Sequence, residues 1–176
     1  EEARSHKKSI IFFDEFDALG VNRDGENSKH DKNLVAELLT QIDGFDSDKK
    51  DNTLLLIAAT NKPWNIDSAL LRSGRFTKKI FVGLPDYESI VKIIKKELEG
   101  VPSKDIDYEE IVKDVCNLSS ADVVSLCDEA KDLAIKRSIT NNEISPIITE
   151  DLLLARDMIR STINMSELKK LKTFNM

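Results

Sequence analysis

Ser9-Ile10-Ile11-Phe12-Phe13-Asp14-Glu15 is an unbroken apolar run, rich in β-branched and aromatic residues, that stops at two adjacent carboxylates. A strand of a parallel sheet with helices on both faces reads this way, because neither face calls for polar residues. Working outward, Thr53 to Ala59 (TLLLIAA) is a second buried run, and Lys79 to Val82 (KIFV) reads as a third, shorter strand. Between the first two, Lys32 to Ile42 sets Leu34, Val35, Leu38, Leu39 and Ile42 on one helical stripe that ends at Asp43-Gly44. Strands alternating with a helix predict an α/β architecture with parallel strands.

The pattern changes after Gly83-Leu84-Pro85-Asp86. Strand signals stop and four helical stripes follow, built on Ile90 to Leu98, Tyr108 to Val115, Val123 to Ala134 and Leu152 to Ile159. Ser119 with Asp122 has the spacing of a capping box, Thr149 is a candidate cap for the fourth helix, and Ser166 to Lys172 reads as a short closing helix. The chain thus divides near residue 85 into an α/β half, 1–85, and an all-helical half, 86–176. Glu1 to Lys8 reads as the last turns of a helix with no starting cap, so the sequence is expected to be a piece of a longer protein.

Composition narrows the function classes. With 40% hydrophobic and 33% charged residues the chain is globular rather than disordered, and its net charge of -6 argues against a nucleic-acid surface. No apolar run reaches the roughly 18 residues that a membrane span needs. Cys116 and Cys127 are too far apart for a redox or zinc pair and fall at helical apolar positions, which predicts buried, reduced thiols in an intracellular protein.

Ligands of open α/β sheets bind just beyond the carboxyl ends of the strands. An acid at that place, such as Asp14, can hold Mg²⁺ through water, and its neighbour Glu15 can orient and deprotonate an attacking water. Two bare acids also suit a charged turn after a core strand. Asn61 follows the second run, where a side-chain amide can hydrogen-bond a phosphate and a water, or simply start the turn before Pro63. Arg72 and Arg75 flank Gly74 in LLRSGRF. Guanidinium groups stabilise charge on a transferring phosphoryl group, often from a neighbouring molecule, although two arginines on a turn also suit solvent.

Taken together, IIFFDEFDAL, LLTQIDGF, LIAATNKP, IDSALLRSGRF, LPD and LSSADVVSLCDEA stand in an order and spacing that resembles the AAA+ superfamily. The likeness is greatest to the AAA subfamily, in its valosin-containing-protein and proteasomal branch. The resemblance implies part of a P-loop NTPase parallel sheet followed by an all-helical lid subdomain. It also implies hydrolysis of ATP with Mg²⁺ in a ring, expected to be hexameric, of identical or related subunits that act on a polypeptide drawn through the pore. In that family's terms Asp14 is the Mg²⁺-linked Walker-B acid, Glu15 the general base, Asn61 the first sensor, and Arg72 and Arg75 the arginine fingers. Ser120 and Ala121 fall at the lid element whose backbone approaches the adenosine, and Glu97 falls near the base. Val21 to Asp31 resembles the second pore loop.

The sequence departs from the family pattern at several positions. Ser73 stands for the usual Pro of the finger turn, Ser120 for Gly, Glu97 for His or Asn, and Asn33 for Arg. The largest departure is the phosphate cradle. Gly20 and Gly25 have the glycine spacing of a P-loop, but Glu26-Asn27 follows where Lys and Ser or Thr belong, so an anion would meet acids there. The chain alone is therefore expected to be inactive. Two other readings are a non-catalytic AAA-like interaction module and a nucleic-acid AAA+ machine. A scaffold has no need of a base such as Glu15, and the acidic total weighs against nucleic acid. The expected setting is cytoplasmic or nuclear, with no nucleic-acid partner and no membrane segment.

Overall fold

A computed structural model describes residues 2–19, 28–44 and 53–174. The chain divides into two compact units, Glu1–Phe81 with Lys169–Met176, and Val82–Leu168.

In the first unit, α1 (Glu2–Ser5) leads into β1 (Lys8–Phe13), which pairs in parallel with β2 (Thr53–Ala58). The register sets Ile11 beside Leu56 and Phe13 beside Ala58 on one face, and Ile10 beside Leu55 and Phe12 beside Ile57 on the other. The crossover contains α2 (Ser28–Asp43), which starts earlier than its apolar stripe. Val35 and Ile42 of α2 pack with Phe16 and Leu70 into a small buried cluster against Phe13 and Leu56. Three rings lock that cluster, with Phe16 and Phe76 4.9 Å apart and Phe13 and Phe16 5.4 Å apart between centroids.

Two expectations for this unit are corrected. The strands are not covered on both faces. Ile10 is 69% and Phe12 59% exposed, because α2 and its neighbours pack on the opposite face and nothing among the described residues covers this one. The KIFV segment is not a strand. It has no strand beside it among the described residues, so its amides find no ladder, and Ile80 (75%) and Val82 (86%) lie exposed. Apolar, β-branched sequence suits a strand, but only a neighbour makes one.

The second unit is helical: α3 (Tyr87–Glu97), α4 (Tyr108–Val115), α5 (Ser120–Asn141) and α6 (Thr149–Met158). Their stripes meet in one core that includes Ile90, Ile94, Val115, Val123, Leu126 and Leu152. Asp86 and Asp107 cap the first two helices, accepting from the amides of Ser89 and of Glu109 and Glu110. Thr149 does not cap α6. Its hydroxyl donates to the Asp105 carbonyl and accepts from the Asp107 amide, while Asp151 accepts from the Ile148 amide at the helix start. Asp151 also takes a two-pronged bond from Arg137 of α5, which ties the two helices together. Cys127 is buried as expected, but Cys116 is exposed, because it follows the last turn of α4 rather than facing the core.

The last helix, α7 (Met165–Phe174), is longer than its sequence signal, and its end groups with the first unit. There Lys170 Nζ sits 4.0 Å from the centre of the Trp64 ring, and Lys79 Nζ 4.8 Å from that of Phe174. No helix among the described residues is long and apolar enough to cross a membrane.

Candidate functional site

Asp14 and Glu15 sit where β1 leaves the sheet, and the hydrogen bonds there show how they are presented. Ala59 donates to the Phe13 carbonyl (2.8 Å) and its own carbonyl accepts from Phe16 (2.9 Å). A regular parallel ladder would bond Ala59 to residues 13 and 15, so one residue is extra on the first strand. Glu15 absorbs it with a left-handed backbone (φ 47°), and its amide donates to Asp14 Oδ1 at 2.9 Å. Phe16 is buried directly after, so the chain is pinned on both sides of two exposed carboxylates.

The tip of β2 is fastened to the same point. The Thr60 hydroxyl donates to Asp17 Oδ1 at 2.6 Å and accepts from the Lys62 amide at 3.0 Å, which turns the chain around the exposed Asn61. The structure thereby sets Asp14, Glu15 and Asn61 beyond the same, carboxyl, end of the two parallel strands. Asp17 and Thr60 do this holding, and sequence reasoning missed both. The signal was available: a third acid in DEFD has no role in a simple strand ending.

The two arginines behave differently. Both lie in the turn after the short 3₁₀ segment Ser68–Leu71, which Asp67 caps through the Ala69 amide. Gly74 takes φ 86° between them, and the Arg75 amide bonds back to the Arg72 carbonyl at 3.2 Å. Arg72 is exposed. The Arg75 side chain is only 17% exposed and is engaged on three nitrogens: Nε and Nη2 with the two oxygens of Asp43, Nη1 with the Ala69 carbonyl at 2.7 Å. The hydrogen bond from Arg75 holds the Asp43 carboxyl below the usual carboxylate range, and the carboxylate in turn raises the Arg75 pKa.

In the helical unit Ser120 and Ala121 are exposed in the first turn of α5, directly after its capping residue. Ser119 accepts from the Asp122 amide and Asp122 from the Ser119 amide, both at 3.1 Å, so the expected capping box is present. Asp122 is 3% exposed and is also bonded by the hydroxyl (2.9 Å) and amide (3.3 Å) of Thr162. Burial works to raise its pKa, but the bonds from Ser119 and Thr162 outweigh that and lower it. Glu97 ends α3 with its carboxylate 3.6 Å from Lys131 Nζ of α5, so its charge is partly answered within the unit. The pore-loop segment resembling Val21 to Asp31 falls outside the described residues up to Asn27, and its last residues already belong to α2.

No group of three or more His, Cys, Asp or Glu that could hold a metal stands together among the described residues. Mg²⁺ does not ask for one: it is commonly held by one or two carboxylates, substrate phosphates and water. Asp14 has one oxygen engaged by the Glu15 amide and its side chain exposed, which suits that mode. A phosphate cradle is another matter, since no G-x-x-x-x-G-K-[ST] stretch occurs in the chain.

A parallel α/β unit with acids at the strand tips, followed by a helical unit, is of the class whose ligands bind beyond the carboxyl ends of the strands. Residues 1–84 match the family model described as ATPase family associated with various cellular activities (AAA). Residues 1–84 belong to the AAA family. The chain is 37% identical over 175 residues to the 26S proteasome regulatory subunit 10B homolog A of Arabidopsis thaliana, covering 97% of this chain and 40% of that protein. It is 40% identical over 145 residues to the meiotic spindle formation protein mei-1 of Caenorhabditis elegans, covering 81% of this chain and 30% of that one. The ribosome biogenesis ATPase RIX7 of Saccharomyces cerevisiae is 40% identical over 156 residues, with 85% and 18% covered. Among solved structures the FIGL-1 AAA domain in complex with ADP superposes with a TM-score of 0.78 at 30% identity, covering 94% of this chain and 56% of that chain. The chain thus spans less than half the length of these curated relatives.

Proposed function

We propose that the chain supplies the Walker-B, first-sensor and arginine-finger portion of an ATPase that works in a hexameric ring of like subunits and remodels or unfolds polypeptides. The observation that carries this reading is the fastening of the two strand tips. The bonds from Phe16 to Ala59 and from Thr60 to Asp17 fasten the chain beside Glu15 to the chain beside Asn61 at the carboxyl end of the two strands, which supports a shared role for the two residues.

In this reading Asp14 holds Mg²⁺ through water, and the metal, when bound, neutralises charge on the phosphates. Glu15 accepts the proton of the attacking water, and its place outside the ladder leaves its carboxylate open to that water. Asn61 orients the water and a phosphate oxygen through its amide. An arginine of the finger turn answers the charge in a neighbouring subunit's site. Ser120, Ala121 and Glu97 serve the adenosine side from the helical lid. The phosphate cradle comes from outside these 176 residues, so the chain by itself turns over no ATP.

Glu15→Gln in the full-length protein tests the reading. It removes the base but keeps the size and backbone demands of the residue, so nucleotide binding persists and turnover falls to background. Wild-type turnover in that variant overturns the assignment. A wild-type protein that binds no nucleotide favours the interaction-module reading instead.

A further inference from the structure

Resting on the function just proposed, we infer that the two arginines of the finger turn divide the work: Arg75 is a positioning residue clipped by Asp43, and Arg72 alone is offered to a neighbour's phosphate.

A guanidinium carries five N–H donors in a fixed fork. In Arg75 the Nε and Nη2 edge is closed by Asp43, and Nη1 holds the Ala69 carbonyl at 2.7 Å. To reach a phosphate it would have to abandon a two-pronged charged bond, and while bonded its charge is largely cancelled by Asp43. Next to it, Phe76 packs on Phe16 with centroids 4.9 Å apart, and the Phe76 amide bonds the Leu70 carbonyl at 3.1 Å. This end of the turn is therefore anchored to the core. Arg72, at the other end, is exposed, with no hydrogen bond or ion pair of its side chain among the described residues.

Asp43 has its own reason to bind Arg75. It is the last residue of α2, whose last turn carries no basic residue. Helix carbonyls leave that end negative, so an acid there is unfavourable until a cation answers it. Asp43 and Arg75 are 32 residues apart, so the pair links α2 to the finger turn and sets where Arg72 starts from.

The test uses the full-length protein and reads kcat and KM for ATP, with thermal unfolding to confirm folding. Arg72→Ala is expected to lower kcat by about a thousand-fold or more with KM little changed. Mixing it with Glu15→Gln subunits is expected to restore part of the turnover. Asp43→Asn leaves Arg75 intact but removes its countercharge and one of the two acceptors, and is expected to lower kcat by roughly a hundred-fold, the scale of an ångström's misplacement. Arg75→Ala is expected to match it, and the double variant to lose no more than either single one. The swapped pair Asp43→Arg with Arg75→Asp restores the ion pair but not the bond to the Ala69 carbonyl, and is expected to regain part of the turnover, which a phosphate-touching Arg75 would forbid. Wild-type kcat in Asp43→Asn, with Arg75→Ala falling as far as Arg72→Ala, overturns the division of work while leaving the ring ATPase intact. Wild-type kcat in Arg72→Ala overturns both this inference and the finger assignment beneath it.

Discussion

Replacing Asp122 by alanine and by asparagine separates what its charge does from what its shape does. The carboxylate accepts from the Ser119 amide, the Thr162 amide and the Thr162 hydroxyl, and is 3% exposed. Alanine removes every acceptor and leaves the half-buried Ser119 amide without its partner, whereas the amide and hydroxyl of the exposed Thr162 can turn to water. Each unsatisfied buried group costs about 1–3 kcal/mol, and a lost cap about 1 kcal/mol. With Thr162 exposed, only the Ser119 amide and the lost half of the capping box count, and about 2 kcal/mol is expected. For a unit spanning residues 82–168, that lowers the unfolding midpoint by roughly 8–16 °C, at about 4–8 °C per kcal/mol. Asparagine keeps the geometry: its carbonyl can face both amides while its NH₂ donates to the Thr162 hydroxyl, so only the charge is lost. About 1 kcal/mol is expected for that. The sign in acid follows from the lowered pKa. The carboxylate stabilises the fold above its unfolded value of about 3.9 and loses that contribution only as pH falls through its lower folded value. The gap between the wild type and Asp122→Asn is thus constant from neutrality to about pH 4 and closes below it. Thermal unfolding followed by circular dichroism at several pH values reads this directly. Equal midpoints for the asparagine and alanine variants, or a gap that closes well above pH 4, would refute the reasoning.

Thr60→Val removes the hydroxyl that bonds Asp17 and receives the Lys62 amide, so a loss of about 1–2 kcal/mol and at least a tenfold fall in turnover of the full-length protein are expected, with Thr60→Ser near wild type. A fully active, fully stable valine variant would show that the strand tips do not need this link. The two thiols should separate in a disulfide-exchange assay at pH 8. Burial, with Glu97 and Asp128 assisting against the opposing Lys131, pushes Cys127 up to about 12, whereas Cys116 is exposed. One thiol per chain is expected to react at once and the second only on unfolding, so prompt reaction of both would contradict the packing of α5.

Local patterns carried well from sequence to structure where the contacts that use them are also local. The stripes of α3 to α6 and the Ser119–Asp122 box involve residues three or four apart, and they are legible for that reason. What escaped was set across the chain. KIFV has the composition of a strand, yet strand formation depends on a partner backbone that no local pattern encodes. Cys116 falls at a plausible helical position but beyond the end of α4, and boundaries decide exposure. At the candidate site the acids, the amide and the arginines were visible as motifs. The clip between Asp43 and Arg75 and the link between Asp17 and Thr60 span 32 and 43 residues and were not. One clue was present in the first case, since an acid closing a helix with no nearby base calls for a distant cation.

The left-handed backbone at Glu15 sets the most reactive group proposed for this protein against the fold that carries it. Holding an ordinary side chain at φ 47° costs on the order of 1 kcal/mol that a glycine would not incur. A chain that lost its base by mutation to glycine at this position would gain robustness as it lost chemistry. Inactive descendants would then face no structural penalty for staying inactive. Between glutamate and glycine at position 15 thermal tolerance would run opposite to usefulness, and a screen that rewards stability alone would select the silent glycine.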